Sequence, residues 1–472
     1  AVEVMRGCTR GCRFCSAGIT YRPVRERPAD RVCAQMTRGP AETGWREIGL
    51  LSLSTADYTH LRPLLEQVRS LKEHARVRVS LPSTRVDVLT EEALNCLFSV
   101  SHASSLTIAP EAGSERLRRV INKAFTDEDI LRAVRLLLER RVRTIKLYFM
   151  VGLPTETPQD IDAVVDLLRK ISGIARSRSR SCTVNVSVSP FSPKANTPFQ
   201  WEPMERSSQL MDKGSFIKRE LRTYKNVKVH YRDARVTLLE TALGRGDRAM
   251  GRVIHRAREL GARLDGWDEF FDVDRWYRAA KDCGVELDSY TAEIPHDSLL
   301  PWRAIDCGVP LTFLQTERHK ALRGEPTEDC RTGQCTSCGA CAAAGLAPRG
   351  GICGQENRPS RIVCSPQAPA AKTSERFFFR VVYRKGPAVR FLGHRDMAGI
   401  VQRALIGAGI PLEFSAGFQP RPRLSFGPPQ RERPNLSPQR VLDVERRSVR
   451  RVLRSFDAHV PHGHPGAPEG AI

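Results

Sequence analysis

The sequence contains no run of about 18 apolar residues, the length that a membrane-spanning helix requires. It also lacks the charged and then apolar opening of a secretory leader, because a cysteine motif begins at residue 8. These two absences predict a cytoplasmic protein without membrane contact. The chain opens on AVEVM, a strand-like segment, and we expect it to continue a longer parent chain.

Lysine is scarce: it supplies 13 of the 75 basic residues, and arginine supplies the other 62. The formal net charge is +22. Arginine binds phosphate electrostatically and in bidentate pairs, so this charge fits a polyanionic partner such as RNA. An arginine-rich genome explains the same composition equally well, and both interpretations stay open.

The chain has 14 cysteines, yet the missing leader argues against a disulfide framework. Most of the cysteines are clustered, as thiolate metal ligands are in a reducing cytosol. The others are predicted to be core or incidental thiols. These isolated cysteines are Cys33, Cys96, Cys182, Cys283 and Cys307.

The first 204 residues alternate short β-type runs with amphipathic helical segments. Six strands that each lead into a helix predict an α/β fold with a parallel sheet, open or closed into a barrel. A polar loop is predicted over 173–181. The predicted strands are 1–5, 47–54, 77–82, 105–110, 144–152 and 183–190, and the predicted helices are 29–43, 60–74, 90–99, 126–141 and 157–171.

Composition divides the rest of the chain into four further segments. Residues 205–325 predict a mostly helical extension. Residues 326–370, rich in Cys, Gly, Pro and Ala, predict a metal-binding connector. Residues 371–430 predict a small α+β domain with a strand over 376–386 and a helix over 394–409. The final segment, 431–472, predicts a basic, disordered tail.

The segment RGCTRGCRFCSAG at 6–18 spaces Cys8, Cys12 and Cys15 as C-x-x-x-C-x-x-C, directly after the first predicted strand. Three thiolates on a short loop can each bind one iron of a cubane 4Fe–4S cluster and leave the fourth iron with an open position. Glycines allow the loop to turn tightly. Phe14 is expected to shield the cluster and to contact a ligand ring. The alternatives are a zinc site completed by a remote residue, or three buried thiols.

This motif, after the first strand of a repeated β/α domain, resembles that of radical S-adenosylmethionine (SAM) enzymes. The resemblance covers roughly residues 1–200 and implies a partial (β/α)6 TIM-like barrel. It implies a 4Fe–4S cluster on Cys8, Cys12 and Cys15, with the amino and carboxylate groups of S-adenosylmethionine on the open iron. It further implies reductive cleavage to a 5′-deoxyadenosyl radical that abstracts hydrogen from a substrate. A flavodoxin or ferredoxin would supply the electron.

Three further stretches resemble one subgroup of this family: SLSTADYTHL at 52–61, TIAPEAGSERLRRVINK at 107–123 and IKLYFMVGLPTET at 145–157. Members of the subgroup usually carry an N-terminal cobalamin-binding domain and a C-terminal radical SAM-linked domain, which residues 382–429 resemble. No cobalamin domain precedes the first residue, and DAHVPHG at 457–463 is one residue too long for the cobalamin motif. We therefore expect cobalamin only in a longer parent chain.

The resemblance also implies residues for S-adenosylmethionine at the carboxyl ends of the strands. The usual Gly-Gly-Glu is absent, so these predictions are positional. Glu111 and Ser114 would bond the ribose or amino group, and Lys146 would pair with a carboxylate. Ordinary roles stay open, with Glu111 at a helix N-terminus and Lys146 extending out of the core. The predicted contacts are Phe14, Ser52, Ser54, Asp57, Glu111, Ser114, Lys146 and Gly152, with Arg85 and Asp87 as weaker candidates.

A second motif, CRTGQCTSCGAC at 330–341, spaces four cysteines as C-x-x-x-x-C-x-x-C-x-x-C. Four thiolates this close predict a metal site, and zinc and an auxiliary iron–sulfur cluster fit the spacing equally well. The site would brace the connector, relay electrons or bind RNA as a knuckle. The predicted ligands are Cys330, Cys335, Cys338 and Cys341, with Cys353 and Cys364 as alternatives.

Two hypotheses about function follow. In the first, the protein is a radical SAM enzyme that modifies an unactivated carbon, with methyl or methylthio transfer to RNA as the preferred reaction. In the second, it is a basic RNA-associated binding protein whose clusters are structural or sense redox state. Cleavage of S-adenosylmethionine distinguishes the two, because only the enzyme requires it.

Overall fold

The structure is a computed structural model of the chain. It describes residues 1–66, 68, 77–80, 85–100, 104–179, 181–346, 389, 391–410, 412–415 and 422–426. Several predictions lie outside the described residues: the strand over 376–386, the tail over 431–472, and the alternative metal ligands Cys353 and Cys364. The side chain of Cys96 lies outside them as well.

Strands and helices alternate through the first half of the chain. The described strands are β1 (Val2–Glu3), β2 (Met5–Arg6), β3 (Arg25–Glu26), β4 (Glu47–Leu51), β5 (Arg78–Ser80), β6 (Ser105–Glu111), β7 (Thr144–Val151), β8 (Thr183–Pro190) and β9 (Val227–Tyr231). The described helices are α1 (Ser16–Thr20), α2 (Ala29–Thr43), α3 (Glu91–Val100), α4 (Glu115–Val120), α5 (Asp127–Glu139), α6 (Pro158–Arg178), α7 (Ser207–Glu220), α8 (Ala234–Arg245), α9 (Ala249–Glu259), α10 (Val273–Asp282), α11 (Leu311–Leu322), α12 (Ala340–Ala343) and α13 (His394–Gly407).

The strands form two parallel sheets, in the orders β1-β4-β5 and β6-β7-β8-β9. All of the pairs within these sheets are parallel. Strand order follows chain order in both sheets, as it does around a (β/α) barrel, whereas a doubly wound sheet reverses its order at a switch point. The fold is therefore α/β with a partial TIM-like barrel, which confirms the prediction.

The sheet of β6–β9 has one buried face and one face that points away from the helices. On β7, the side chains of Ile145, Leu147 and Phe149 pack in the core with residues of α5 and α6. Because successive side chains of a strand alternate between faces, Lys146 and Tyr148 point to the opposite face, here called the inner face. The inner face corresponds to the interior of the partial barrel.

Side-chain hydrogen bonds to the backbone fix where helices α5 and α6 begin. Thr126 accepts a hydrogen bond from the Asp129 amide at 3.2 Å, and the Asp129 carboxylate accepts one from the Thr126 amide at 2.9 Å, which completes a capping box for α5. Thr126 is therefore the N-cap of α5, at the start of the helix predicted over 126–141. Thr157 and Asp160 form the equivalent box at the start of α6.

Two sequence predictions about secondary structure are wrong. The first predicted strand is split, because β1 pairs with β4 whereas β2 pairs antiparallel with β3. The loop predicted over 173–181 is helical as far as Arg178, since Ala175 is buried and the Arg178 guanidinium donates to the Glu139 carboxylate at 2.8 Å. The extension over 205–325 is mostly helical, as predicted, and it also contributes β9, whose Val227 and Val229 lie in the core.

The remaining predictions concern isolated cysteines and the C-terminal helix. Cys182 lies in the main core, as predicted, and α13 confirms the predicted helix near residue 394. Cys33 is part of a disulfide bond, so it is not an isolated thiol.

No helix in the described part of the chain has the length and apolar character needed to cross a membrane. The domain boundaries stay predictions.

Candidate functional site

The three-cysteine loop runs from the end of β2 to the start of α1 and turns where glycine is required. Gly7 and Gly11 have φ angles of 89° and 67°, which L-residues with a side chain rarely adopt. A Cβ on Gly7 would lie 2.5 Å from the Tyr21 carbonyl oxygen, and one on Gly11 would lie 2.9 Å from Asn122 Nδ2. The loop ends where Cys15 caps α1, with its sulfur accepting a hydrogen bond from the Gly18 amide at 3.4 Å.

Asn122 holds this loop against the start of the cysteine-rich connector. Its Nδ2 donates to the carbonyl oxygens of Arg10 at 3.1 Å, Gly11 at 3.2 Å and Thr327 at 3.0 Å. Its Oδ1 accepts from the Thr327 amide at 2.8 Å. Asn122 has a φ of 58°, a left-handed conformation that asparagine tolerates better than most residues. The sequence around Asn122 does not predict this role, because its partners lie more than 100 residues away.

The three thiols form a donor set that fits a thiophilic metal cluster. Burial, followed by the charge of Cys12, raises the pKa of Cys8 to about 11, and the same two causes raise the pKa of Cys15. Thiols with such raised pKa values stay protonated at neutral pH unless a cation takes the place of the proton. The guanidinium of Arg85, 3.5 Å from Cys12 Sγ, adds a positive neighbour.

Phe14, Lys123 and Glu111 connect the cysteine loop to the carboxyl end of β6. Lys123 Nζ lies 6.0 Å from the centre of the Phe14 ring and donates to Glu111 Oε1 at 3.1 Å and to the Ala109 carbonyl at 2.8 Å. Glu111 has a φ of 67° beside a register shift of β6. A non-glycine residue in this conformation at a strand end is a feature that functional sites often show.

An ion network surrounds Arg10, which lies between Cys8 and Cys12. Its guanidinium contacts carboxylate oxygens of Asp57 at 2.9 Å, Asp87 at 3.0 Å and Asp329 at 3.3 Å. Burial alone would raise the pKa of Asp57, but hydrogen bonding and charge from Arg10, together with Arg331, lower it to about 2. Asp57 is therefore ionised at neutral pH.

Arg13 is fully buried behind the loop. Its guanidinium contacts Glu317 Oε2 at 3.2 Å and donates to the carbonyl oxygens of Arg119 at 3.1 Å and Glu325 at 2.7 Å. Such a cation is tolerated in the interior because it is both paired and hydrogen-bonded. Arg13 thus joins the cysteine loop to α4, α11 and the connector.

The second cysteine motif begins beside the first. Cys330 stands between Asp329 and Arg331, and Arg331 donates to the Asp57 carbonyl at 2.7 Å. Burial and then the charge of Asp329 raise the pKa of Cys330. Cys338 packs in an apolar cluster that includes Ile19 of α1, while Cys335 is exposed. The connector therefore lies against both the loop and the helix that follows it.

No three His, Cys, Asp or Glu side chains among the described residues surround a point as ligands of a single metal ion would. The ligands of a cubane cluster do not converge in this way, because each thiolate binds its own iron. Metal binding by Cys330, Cys335, Cys338 and Cys341 stays a prediction.

Comparison with known families decides the nature of the first domain. The model of the radical SAM superfamily matches residues 2–168, which include the three-cysteine loop and β1 to β7. Residues 2–168 are a radical SAM domain. The predicted resemblance is thereby confirmed for this part of the chain. A second family model, described as an uncharacterized protein conserved in bacteria (DUF2344), matches residues 379–431.

Individual relatives match part of the chain. A protein of Methanocaldococcus jannaschii, described as uncharacterized, is 31% identical over 284 residues, which are 60% of this chain and 60% of that protein. A tRNA-2-methylthio-N(6)-dimethylallyladenosine synthase of Ruegeria sp. is 28% identical over 234 residues, which are 47% of this chain and 50% of the synthase. The chain thus spans between half and 60% of the length of these two relatives.

One solved structure aligns with part of this chain. The radical S-adenosylmethionine methyltransferase TsrM of Kitasatospora setae, with cobalamin and a [4Fe-4S] cluster bound, aligns with 44% of this chain and 39% of its own. The TM-score is 0.36 and the sequence identity is 18%.

The structure of the radical SAM domain brings some of the predicted cofactor residues to the cysteine loop. Phe14 lies on the loop, Glu111 meets it through Lys123, and Asp57 meets it through Arg10. Lys146 points to the inner face of β7. It lies four residues before Met150, which packs in the same apolar cluster as Phe14.

Other predicted residues have internal partners. Ser114 caps α4 by accepting from the Leu117 amide at 3.1 Å, and its hydroxyl also bonds Asp160. The Gly152 amide donates to Glu156 Oε1 at 2.9 Å, and a Cβ on Gly152 would lie 2.6 Å from Leu210 Cδ2. Ser52 bonds Thr55, and Ser54 is buried. Contact of these residues with S-adenosylmethionine stays a prediction.

The radical SAM domain depends on glycine at its loop. Replacing Gly11 with alanine should lower the free energy of unfolding by about 1–2 kcal/mol, because alanine is strained at positive φ. It should also reduce the iron bound per chain after reconstitution, since the new Cβ displaces Asn122. Denaturant unfolding and iron assay measure both effects.

The matched control is Gly173→Ala, at a site in α6 where no atom lies within 4 Å of the added Cβ. This change should leave iron binding intact and stabilise the protein by about 0.5–1 kcal/mol. Equal iron content in the two variants would contradict the role assigned to the turn at Gly11.

Proposed function

We propose that this protein is a radical SAM enzyme that cleaves S-adenosylmethionine reductively and modifies RNA. The observation that carries the proposal is the loop of Cys8, Cys12 and Cys15 within a radical SAM domain, with three thiols and no fourth in the motif. A cluster with three protein ligands leaves one iron open for a small molecule.

Different residues of the site would bind the cluster, shield it and contact S-adenosylmethionine. Cys8, Cys12 and Cys15 would hold a 4Fe–4S cluster, which when bound supplies the electron that cleaves S-adenosylmethionine into methionine and a 5′-deoxyadenosyl radical. Phe14 would shield this site from water. Glu111, whose carboxylate lies near the loop, would accept hydrogen bonds from the amino group or ribose of S-adenosylmethionine.

The preferred substrate is RNA, with methyl or methylthio transfer as the reaction. The net charge of +22 and the sequence similarity to tRNA methylthiolating enzymes support this proposal. A flavodoxin or ferredoxin would supply the electron, and the reducing cytoplasm would keep the free thiols available.

The second motif would hold zinc or an auxiliary iron–sulfur cluster on Cys330, Cys335, Cys338 and Cys341. We favour a structural role, because the connector contacts the cysteine loop through Asp329 and α1 through Cys338. A metal there would brace the part of the chain that lies against the first site.

The proposal is tested by anaerobic reconstitution with iron and sulfide, followed by dithionite and S-adenosylmethionine. Mass spectrometry should detect 5′-deoxyadenosine together with an equal amount of methionine. Cluster assembly without any cleavage would instead favour the basic RNA-associated binding protein with structural or redox-sensing clusters.

A further inference from the structure

Six side chains form a patch across the inner face of β7, β8 and β9. They occupy two neighbouring rows in the strand register, one with two lysines and one with two aromatic rings. Neighbouring strands lie about 4.8 Å apart and same-face residues about 6.6 Å apart, so the patch measures roughly 10 by 7 Å. The inner-face patch consists of Lys146, Asn185 and Lys228 in the first row and Tyr148, Ser187 and His230 in the second.

The patch is open and its polar groups have no partners within the described structure. Lys146, Lys228 and His230 are exposed, and Tyr148 keeps 42% of its surface accessible. Asn185 Oδ1 is buried without a hydrogen-bond donor. Buried polar atoms in proteins are nearly always hydrogen-bonded to protein, water or a ligand, so this oxygen is an acceptor that a molecule on the patch can use.

The charge of the inner face favours an anion. Glu111 is the one acidic residue on this face of β6–β9, and it is paired with Lys123 at 3.1 Å. The two lysines of the patch have no acidic partner among the described residues. An anion between them gains attraction without losing an existing ion pair.

The patch continues directly into the cysteine site. Met150 follows Tyr148 on the same face of β7, and it packs in one apolar cluster with Phe14 and Leu153. A molecule on the patch would thus extend toward the cysteine loop, where the proposed radical forms.

We propose that the inner-face patch binds a single-stranded nucleotide of the RNA substrate, with a base stacked on Tyr148 and phosphates held by Lys146 and Lys228. Aromatic side chains that stack bases, next to cations that bind the backbone, are the usual means of binding single strands. Asn185 Oδ1 accepts a hydrogen bond from an amino group of the base. The inference rests on the proposed function and assigns Lys146 to the substrate rather than to S-adenosylmethionine.

The test measures binding of a fluorescent single-stranded RNA to the reconstituted full chain by anisotropy at several salt concentrations. Tyr148→Ala should weaken binding about 5- to 150-fold, whereas Tyr148→Phe, which keeps the ring, should bind like the wild type. The double variant Lys146→Ala/Lys228→Ala should weaken binding and reduce the slope of log K against log salt by about 1.4, or about 0.7 per lost phosphate contact.

The matched control is Lys225→Ala/Lys281→Ala, which removes the same charge from exposed positions outside the patch. If it weakens RNA binding as much as the patch variant does, the effect is one of net charge and the inference fails. Equal binding by Tyr148→Ala and Tyr148→Phe would also overturn it. If the patch variants lose as much affinity for an acidic peptide as for RNA, the inference also fails, because the patch would then bind anions without recognising a base.

Two further measurements separate this inference from the proposed function. The first measures how Lys146→Ala binds S-adenosylmethionine. If this variant loses S-adenosylmethionine but still binds RNA, the assignment of Lys146 to the RNA substrate is overturned. The proposed function is judged by 5′-deoxyadenosine formation in the wild type without RNA, so either claim can fail while the other holds.

Discussion

Replacing Cys12 with alanine should reduce 5′-deoxyadenosine formation to the level of a mixture that lacks protein. Cys12 is the central thiolate of the motif, and its charge contributes to the raised pKa values of both Cys8 and Cys15. Two remaining thiolates would leave two irons of a cubane cluster without protein ligands, so the cluster should be lost or rearranged. Mass spectrometry of the product and iron analysis measure the two consequences.

Two cysteine controls make this result specific. Cys283→Ala removes a free thiol at the end of α10, outside both motifs, and should retain iron and cleavage. Cys335→Ala removes an exposed thiol of the second motif and should mainly lower solubility if that site is a structural brace. Cleavage that persists in Cys12→Ala at the wild-type rate would contradict the ligand assignment.

Replacing Arg13 with methionine should lower the free energy of unfolding by about 3–5 kcal/mol. Methionine keeps an unbranched stem like that of arginine but removes the guanidinium, with its charge and every donor. The change would leave Glu317, whose side chain is 4% exposed, with Lys320 at 3.2 Å as its remaining cation. It would also leave the carbonyl groups of Arg119 and Glu325 without their donor. Urea unfolding measures the loss.

A double variant separates the buried charge from the lost packing. Glu317→Gln added to Arg13→Met should recover part of the lost stability, because the second change removes the uncompensated carboxylate. The exposed Arg119→Ala control should change stability by less than about 0.5 kcal/mol. A loss below about 1 kcal/mol in Arg13→Met would show that this residue does not join the loop to the connector.

The sequence predicted those features that depend on short spacings. Strand and helix positions follow from the alternation of apolar residues, and the capping box at Thr126 lies within four residues. The three-cysteine motif is equally local. By contrast, β9 is a five-residue strand between helices, too short for its alternation to stand out, and it is recognised only through its pairing with β8.

The contacts around the cysteine loop could not be predicted, because they join distant segments. Asn122 bonds residues 10, 11 and 327, and Arg13 bonds residues 317 and 325. Nothing in the local pattern of either residue identifies these partners. Asp57 illustrates the consequence: its position at a strand end predicted a cofactor contact, whereas the structure pairs it with Arg10 and Arg331.

The open iron is tested most directly by electron–nuclear double resonance on the reduced, cluster-loaded protein with S-adenosylmethionine labelled at its amino nitrogen and carboxylate oxygen. Coupling of both labelled atoms to the cluster is the predicted result, because the loop of Cys8, Cys12 and Cys15 provides one ligand too few. A spectrum without such coupling, from a cluster whose fourth iron is already bound by a protein side chain, would contradict the assignment of an open iron at this loop.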